Sequence, residues 1–308
     1  MPIPTVLDCD PGHDDAIAIM LAAATLDLRA ITTVAGNQTL DKVTLNAQRV
    51  CTAAGISVPI AAGCARPLVR PLRIADDVHG ESGLDGPAFG PPTIALSPLH
   101  AVDLMHRSLP ATIIATGALT NVALLISRYG TAGIREIVLM GGSTGRGNIT
   151  PYAEANIYVD PEAAEIVFSS GVPVTMCGLN VTHQALVTPD VVARMSALGP
   201  LGETCAELMT FFASTYRTLF GFEAPPLHDP VAVARVLDPT LVSCVDAHVA
   251  IETAGVHTRG ATVVELDGYL GLAPNAKVAV SLDVPRFWDV VIDAVAQLTR
   301  NVSRSAAN

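Results

Sequence analysis

The chain carries few charges, and basic side chains are the scarcer kind. Only 15% of its 308 residues are charged, and 18 Lys and Arg stand against 29 Asp and Glu, a formal net charge of −11. Proteins that bind nucleic acid or anionic membranes present basic surfaces, so this balance argues against both partners. Hydrophobic residues make up 50% of the chain, which therefore has enough apolar side chains for a large core and is not disordered over most of its length.

The sequence also shows no long hydrophobic run, no visible signal-peptide pattern and no paired cysteines. Its longest nearly apolar stretch, 16–26, is shorter than the roughly 18 to 20 residues that a membrane span needs. The opening MPIPTVLDCD shows no signal-peptide pattern, so we expect a cytoplasmic protein. None of the six cysteines forms a CxxC pair, and most lie in apolar segments, which is typical of reduced, buried thiols and not of a zinc or disulfide framework.

Strand-like runs alternate with helical patterns through about the first 180 residues, as in TVLDCD, AIAIMLAAATL and RAITTVAG. This alternation predicts a parallel sheet covered by helices on both faces. From about Thr188 helices dominate, with strands near Val245, Val263 and Val278. No linker divides the chain, so we expect one α/β domain over residues 1–308, with an open, mostly parallel sheet and a helix-rich C-terminal part.

Two stretches, about 64–92 and 141–156, are too long for ordinary connecting loops. Both are punctuated by Gly and contain Asp, Glu, Asn or His. We therefore expect them to form the walls of a site.

The densest chemical feature is a group of four carboxylates, Asp8, Asp10, Asp14 and Asp15, where the first strand passes into the first helix. Carboxylates so close repel one another unless a cation neutralises them. Oxygen ligands alone favour Ca²⁺ or Mg²⁺ over zinc. Helix capping is the alternative explanation, but it accounts for Asp14 and Asp15 and not for the other two.

A metal at this position needs further ligands, and the best remote candidate is Asp229 in LHDP. Asp229 could instead cap the helical run that follows it, an alternative that the sequence leaves open. The adjacent His228 is a natural proton donor or base near neutral pH. We expect a partly structural role for His183 and fully structural roles for His100, His106, His248 and His257.

Polar residues also follow the predicted strands. These are Asn37, Thr116, Asn148, Glu154 and Asn156. Amides and a carboxylate near a cation suit a polyhydroxylated ligand, because they can both donate to hydroxyls and accept from them. A sugar is the simplest ligand of this kind.

With these residues identified, the sequence resembles the nucleoside hydrolases, the inosine-uridine-preferring nucleoside N-ribohydrolase family. The resemblance covers nearly the whole chain and is most specific in LDCDPGHDDAIAI near the start and LHDP near the end. The segments VHGESGLDGPA and GFEAPPLHDP look most like the pyrimidine-preferring bacterial members. The resemblance implies a Rossmann-like fold, bound Ca²⁺, a homodimer or homotetramer, and hydrolysis of ribonucleosides, with uridine and cytidine preferred.

The resemblance also implies a ligand set. Carboxylates of Asp10, Asp15 and Asp229 and the backbone carbonyl of Thr116 would hold Ca²⁺, with water and the ribose 2′- and 3′-hydroxyls completing its shell. Asp10 would in addition act as the general base on the calcium-bound water, and Asp8 would support the turn from behind. Such a reaction passes through an oxocarbenium-like ribosyl cation.

Substrate contacts follow from the same resemblance. Asp14 and Asn37 would hold ribose hydroxyls and water, and His79, His228 and Tyr216 would face the base. The substrate-binding set is completed by Met140, Asn148, Glu154 and Asn156, of which the last three would hold the 3′- and 5′-hydroxyl side of the sugar.

Three positions depart from the family pattern. His13 stands where an apolar residue is often found, although the bacterial pyrimidine hydrolases can also carry His there. Ala155 stands where an aromatic residue is common, and Asn180 stands where an acid is expected. We expect neither side chain to contact the ligand directly.

Three alternatives stay open at this stage. The enzyme could prefer inosine or accept purines broadly. The DxD after the first strand is also found in phosphatases of the haloacid dehalogenase type, although their other motifs are not evident in this sequence. A calcium-bound nucleoside or sugar sensor without turnover is the third.

Overall fold

The computed structural model describes residues 2–306 of the chain. The strands in that range are β1 (Pro4–Cys9), β2 (Asp27–Thr33), β3 (Ile60–Ala62), β4 (Ala111–Ala115), β5 (Ile134–Met140), β6 (Val174–Cys177), β7 (Val242–Ile251), β8 (Thr262–Glu265) and β9 (Ala276–Leu282). The helices are α1 (His13–Thr25), α2 (Leu40–Ala53), α3 (Asp76–His79), α4 (Ala101–Ser108), α5 (Thr120–Tyr129), α6 (Ala155–Val159), α7 (Pro161–Phe168), α8 (Leu179–Thr182), α9 (Pro189–Ser196), α10 (Pro200–Phe220), α11 (Pro230–Leu237) and α12 (Val284–Ala306).

The strands form one sheet in the order β3-β2-β1-β4-β5-β6-β9-β7-β8. Neighbours from β3 to β9 are parallel, whereas β7 is antiparallel to both β9 and β8. Successive residues of β1 belong to different core clusters, Val6 to one and Leu7 to the other. This is the pattern of a strand buried on both faces, because successive side chains point to opposite sides of a sheet.

The strand order reverses at β1, which has β2 on one side and β4 on the other. In open α/β sheets, ligands bind at the carboxyl ends of the strands beside such a reversal. Asp10 follows β1 and Thr116 follows β4, so the topology places both residues at this point.

Helix α1 carries its acidic first turn into the interior. It is buried from His13 to Ala22, and its side chains from Ala16 to Ala24 are all apolar. It packs against α2, α10, α11 and α12. The carboxylates of Asp14 and Asp15 are therefore enclosed by protein instead of being hydrated at a helix end.

The predicted fold class is confirmed: the sheet is open and mostly parallel, and the C-terminal part is rich in helices. The two long stretches contain only the short helix α3 and the beginning of α6. All six cysteines are free thiols, four of them buried. Within residues 2–306, no helix combines the length and apolar character needed to cross a bilayer.

Candidate active site

One pocket opens at the carboxyl edge of the sheet. All but two of the predicted site residues line it: Asp14, Asn37, His79, Thr116, Met140, Asn148, Glu154, Asn156, Tyr216, His228 and Asp229. The other two, Asp10 and Asp15, are completely buried and are hydrogen-bonded to residues of the pocket wall. Both long loops also contribute to the lining, through residues 75–79 and 148–156.

Three carboxylates meet at the base of the pocket. Oxygens of Asp14, Asp15 and Asp229 all lie within 4.8 Å of one another, and all three residues are buried. Burial and the charge of Asp15 raise the pKa of Asp14 to about 7. Burial and the charges of its two partners raise the pKa of Asp229 well above its ordinary range. Such a group must take up protons or a cation, because buried like charges are strongly unfavourable.

Asp10 adds a fourth buried carboxylate beside this group. Its Oδ2 accepts a hydrogen bond from the backbone N–H of Asn37 at 2.7 Å. Its Oδ1 is buried and has no hydrogen-bond partner among the described residues. Burial and the charge of Asp15 raise the pKa of Asp10. A side chain at Gly36 would overlap this carboxylate, so the close approach requires glycine there.

Thr116 contacts the acidic group through two different oxygens. Its Oγ1 donates to Oδ1 of Asp15 at 2.7 Å. Its backbone carbonyl, the predicted metal ligand, accepts from Nδ2 of Asn156 at 2.8 Å and keeps a second lone pair. The carbonyl is thus held in place and can still coordinate a cation.

These oxygens fit a hard divalent cation such as Ca²⁺ or Mg²⁺. The unpartnered Oδ1 of Asp10 and the three converging carboxylates are what such an ion would satisfy. The closest grouping contains Asp14, which the family resemblance assigns to ribose and water, and leaves Asp10 outside it. The identity of the ion and its exact ligand set stay predictions.

Asp229 does not act as the helix cap that the sequence left open. It occupies the position before α11, but its side chain makes no capping hydrogen bond to the described backbone of that helix. Asp15, in contrast, has both functions. Its Oδ2 accepts from the backbone N–H of Gly12 at 3.0 Å, while the residue also belongs to the acidic group.

Asp8 lies behind the site, as predicted. Its Oδ1 accepts from Oγ1 of Thr32 at 2.7 Å and from Nδ2 of Asn121 at 2.8 Å. These bonds connect β1 to β2 and to α5. Asp8 is therefore positioned to support the turn and does not line the described pocket.

The predicted sugar-binding wall surrounds the start of α6. Glu154 caps this helix by accepting from the backbone N–H groups of Asn156 and Ile157. A third backbone N–H, that of Gly142, donates to it at 2.8 Å. Burial raises the pKa of Glu154 to about 7. Asn148 Oδ1 accepts from the backbone N–H at residue 155, so the side chains of this wall are held by the backbone around them.

Ala155 and Asn180, which depart from the family pattern, differ in their position relative to the pocket, and the expectation that neither contacts the ligand stays a prediction. Ala155 lines the pocket, because it is the first residue of α6 and lies between two residues that face the site. Asn180 is directed away from the pocket, and its Nδ2 donates to the carbonyl of Ala279 on β9 at 2.7 Å. The small side chain at position 155 therefore affects the pocket directly.

The opposite wall contains the predicted base-facing residues. His228 Nδ1 lies 2.7 Å from Oγ1 of Thr182, and its Nε2 lies 2.9 Å from the hydroxyl of Tyr216. Burial lowers the pKa of His228 to about 3, so its ring is neutral at pH 7. His79 also lines the pocket, and its Nδ1 contacts Nδ1 of His13 at 3.1 Å.

Two aromatic residues of this wall were not predicted as site residues from the sequence. Phe212 and Phe220 line the pocket together with Tyr216, because residues four apart on α10 share one face. The spacing of the three aromatics was a signal that could have found them. Phe222 packs instead against Tyr216 and His183. Further lining residues not singled out from the sequence are Ala75, Asp77, Val78 and Ile149.

The five histidines for which structural roles were expected, His100, His106, His183, His248 and His257, do not line this pocket. His100 Nδ1 accepts from the backbone N–H of Val102 at the start of α4. His106 stacks on Tyr129 with ring centroids 3.9 Å apart. His183 is the nearest to the site, with its ring 5.6 Å from that of His228.

Comparison with known proteins agrees with this arrangement. Residues 5–289 match the sequence model of the family described as inosine-uridine preferring nucleoside hydrolase. The pyrimidine-specific ribonucleoside hydrolase RihA of Shewanella sp. (strain MR-7) is 48% identical over 96% of this chain and 97% of its own. The protein of the same name from Escherichia coli O157:H7 is 49% identical over 95% of this chain and 98% of its own.

Solved structures give the same result for the fold. The purine-preferring ribonucleoside hydrolase from Gardnerella vaginalis superposes with a TM-score of 0.89 at 31% identity, covering 96% of this chain and 98% of its own. The plant nucleoside hydrolase PpNRh1 superposes with a TM-score of 0.86 at 31% identity, covering 96% and 99%. The sequence match, the shared fold and the acidic pocket agree. The chain is a nucleoside hydrolase and belongs to the inosine-uridine preferring nucleoside hydrolase family.

Proposed function

We propose that this protein is a calcium-dependent hydrolase of pyrimidine ribonucleosides, which it cleaves to ribose and the free base. The observation that supports the proposal is that one side of the pocket is acidic and the other presents a hydrogen-bonded histidine and tyrosine. Buried carboxylates around Asp10 and Asp229 form one side, and the hydrogen-bonded pair of His228 and Tyr216 forms the other. Cleavage of an N-glycosidic bond needs an activated water on one face of the sugar and a stabilised leaving base.

The carboxylate and carbonyl oxygens on the acidic side of the pocket are the ligands that calcium prefers. Asp10, Asp15, Asp229 and the carbonyl of Thr116 would hold it. When bound, the ion would supply Lewis-acid activation of water and ligation of the ribose diol. Asp14 and Asn37 line the same part of the pocket and are available for ribose hydroxyls.

Asp10 would accept a proton from the attacking water. One of its oxygens is held by the backbone of Asn37, and the other has no partner among the described residues. Its raised pKa makes it a stronger base than an exposed carboxylate once it is ionised. The carboxylate cannot rotate freely, so its free lone pair keeps one direction.

The leaving base needs a proton, and the hydrogen-bonded series Thr182–His228–Tyr216 can deliver one. Because His228 is neutral at pH 7, it would pass a proton along and not store one. The hydroxyl of Tyr216 would donate its proton to the leaving base, and His228 Nε2–H would donate a hydrogen bond to the tyrosine oxygen. A proton from solvent would then restore the Tyr216 hydroxyl. The water gives one proton to Asp10 and the base gains one, so the reaction balances.

Preference for pyrimidines rests on the relatives that are 48% and 49% identical and whose names say that they are pyrimidine-specific. The structural neighbour from Gardnerella vaginalis, at 31% identity, is named purine-preferring. The fold therefore accommodates both, and residues of the base wall such as Tyr216 and Phe220 would decide the preference.

The deciding experiment measures ribose release from uridine, cytidine and inosine by metal-stripped protein before and after Ca²⁺ is added. Calcium-dependent release with uridine or cytidine ahead of inosine supports the proposal. Faster release from inosine would contradict the pyrimidine preference. Tight nucleoside binding by calcium-loaded protein without release would favour the sensor alternative.

Three further properties stay predictions. We propose that residues 1–308 act as one domain, because one continuous sheet carries both walls of the pocket. Assembly into a homodimer or homotetramer is testable by light scattering. Cytoplasmic location is testable by cell fractionation.

A further inference from the structure

Two buried histidines, His13 and His79, contact each other beside the pocket, and the mechanism proposed above gives neither of them a function. His13 is stacked against the rings of Phe211 and Phe212 and is 1% exposed. His79 stacks on Phe212 as well and lines the pocket. The Nδ1 atoms of the two histidines lie 3.1 Å apart, so a hydrogen bond between them requires that only one carries the proton.

A backbone carbonyl decides the state of His13. Its Nε2 lies 2.8 Å from the carbonyl oxygen of Asp85. A carbonyl can only accept, so this nitrogen carries the hydrogen. The ring is 1% exposed and is stacked against Phe211 and Phe212, where an unpaired charge is strongly unfavourable, so the imidazole is neutral. A neutral imidazole has a single N–H, so Nδ1 of His13 is bare and can only accept.

The state of His79 follows from that of His13. Since Nδ1 of His13 is an acceptor, Nδ1 of His79 must be the donor across the 3.1 Å contact. His79 is buried, and burial lowers its pKa well below the usual range, so its ring is also neutral. Its one N–H is used on Nδ1, which leaves Nε2 bare.

A second contact allows a competing assignment. The backbone N–H of His13 points at Nδ1 of His79 at 3.4 Å and would donate to it if that nitrogen were bare. With Nε2 of His13 committed to Asp85, this assignment would place two bare Nδ1 atoms 3.1 Å apart. The repulsion between those lone pairs favours the first assignment, in which His13 carries its proton on Nε2 and His79 carries its proton on Nδ1.

The bare nitrogen of His79 can be reached from the pocket. Nε2 makes no hydrogen bond to the described residues and is not one of the fully buried atoms without a partner, so it keeps some accessible surface on a residue that lines the pocket. His79 approaches so closely because residue 12 is glycine, where a Cβ would lie 2.5 Å from Nδ1 of His79. The Asp85 carboxylate accepts from the backbone N–H groups of Glu81 and Ser82, which fixes the turn that carries the carbonyl.

We propose that His13 is a positioning residue that holds His79 in the Nδ1–H tautomer, so that His79 accepts a hydrogen bond at Nε2 from a donor group of the substrate. The substrate part of this proposal rests on the proposed function, whereas the tautomer part does not. For a ribonucleoside, the donor is the ring N–H or amino group of the base, or the 5′-hydroxyl of the sugar.

The tautomers can be measured directly by two-dimensional NMR on protein labelled with ¹⁵N-histidine. We expect a protonated Nδ1 and a bare Nε2 for His79, and the opposite for His13. Ring contacts assign the signals, because His13 contacts both Phe211 and Phe212, whereas His79 contacts Phe212. A protonated Nε2 on His79 in the wild-type protein would overturn the proposal without any variant.

Substitution at position 13 separates positioning from packing. His13→Phe keeps a ring in the stack but removes the acceptor, so the backbone N–H of residue 13 becomes the partner of His79 and its tautomer should switch to Nε2–H. His13→Asn places a carbonyl oxygen near the former Nδ1, and we expect it to keep the wild-type tautomer. The matched control is His106→Phe, because His106 stacks on Tyr129 away from the pocket. An unchanged His79 in folded His13→Phe protein contradicts the proposal.

Substrate analogues identify the donor. We expect His79→Phe to lower kcat/KM on uridine about tenfold, the effect of one hydrogen bond of about 1.4 kcal/mol. The loss should disappear with N3-methyluridine if the base is the donor, or with 5′-deoxyuridine if the sugar is. A loss that persists with both analogues would overturn the acceptor function. If uridine is not cleaved at all, the proposed function fails while the NMR result still tests the tautomer.

Discussion

The backbone N–H of Asn37 donates to Oδ2 of Asp10 at 2.7 Å, across the ends of strands β2 and β1. Nδ2 of the same asparagine donates to the backbone carbonyl of Asp10 at 3.1 Å. The side chain of Asp10 therefore has one oxygen held and one free. This is the arrangement that a general base needs, because the free lone pair has a fixed direction.

Replacing Asp10 with Asn should abolish most turnover. The amide cannot accept a proton from water, and it also removes a charge from the predicted metal site. We expect kcat to fall by about 10²- to 10⁴-fold, the usual contribution of a general base. Retention of more than about a tenth of wild-type kcat would contradict the assigned role.

The matched control is Asp8→Asn, because Asp8 is equally buried two positions earlier in the chain. Its acceptor bonds to Thr32 and Asn121 can be made by an amide oxygen. We therefore expect any loss in this variant to appear in thermal stability, with kcat within about tenfold of wild type.

Replacing His228 with Ala should lower kcat on uridine while calcium stays bound. The substitution removes the ring that supports the Tyr216 hydroxyl, so the base leaves without efficient protonation. A ribosyl substrate with p-nitrophenolate as leaving group needs no such proton, and its rate should change little. The measurements are kcat on both substrates and the calcium content of the purified variant. Loss of calcium would instead make His228 a structural support for Asp229.

2′-Deoxyuridine should be a poor substrate. It lacks one of the two hydroxyls that the predicted ion and Asp14 would hold, so it should lose affinity and orientation at the reacting carbon. We expect kcat/KM to fall by at least about 10²-fold relative to uridine. Comparable rates on the two nucleosides would remove diol binding by calcium from the mechanism.

Calcium should stabilise the protein, because it neutralises carboxylates that repel one another in the interior. At a concentration one hundred times its Kd, a ligand adds about 2.7 kcal/mol. For a chain of 308 residues that corresponds to a rise in Tm of about 4 °C. Differential scanning fluorimetry of metal-stripped protein with and without Ca²⁺ measures the shift. The shift should be lost in Asp229→Asn, and an equal shift in that variant would show that the ion binds elsewhere.

The sequence by itself determined the sheet and the first half of the site. The alternation of apolar runs with helical patterns is local and predicts parallel strands covered on both faces. The acidic segment from Asp8 to Asp15 was also readable, because four carboxylates within eight residues need a common explanation. The apolar spacing in α12 carried the same kind of local signal, but the helix was not predicted. The apolar spacing is visible in its buried side chains, which include Phe287, Val291, Val295 and Leu298.

Only the tertiary structure decided which distant residues join that segment. Asp229 is more than two hundred residues from Asp15, and its capping alternative was excluded by the direction of its side chain. Packing of α6 and α10 decides that Ala155 lines the pocket and that the aromatic residues spaced four apart on α10 face it. The proposed proton positions on His13 and His79 depend on a carbonyl at residue 85, which no side-chain pattern reveals. Local periodicity records which residues are buried, whereas packing between elements decides which buried groups meet.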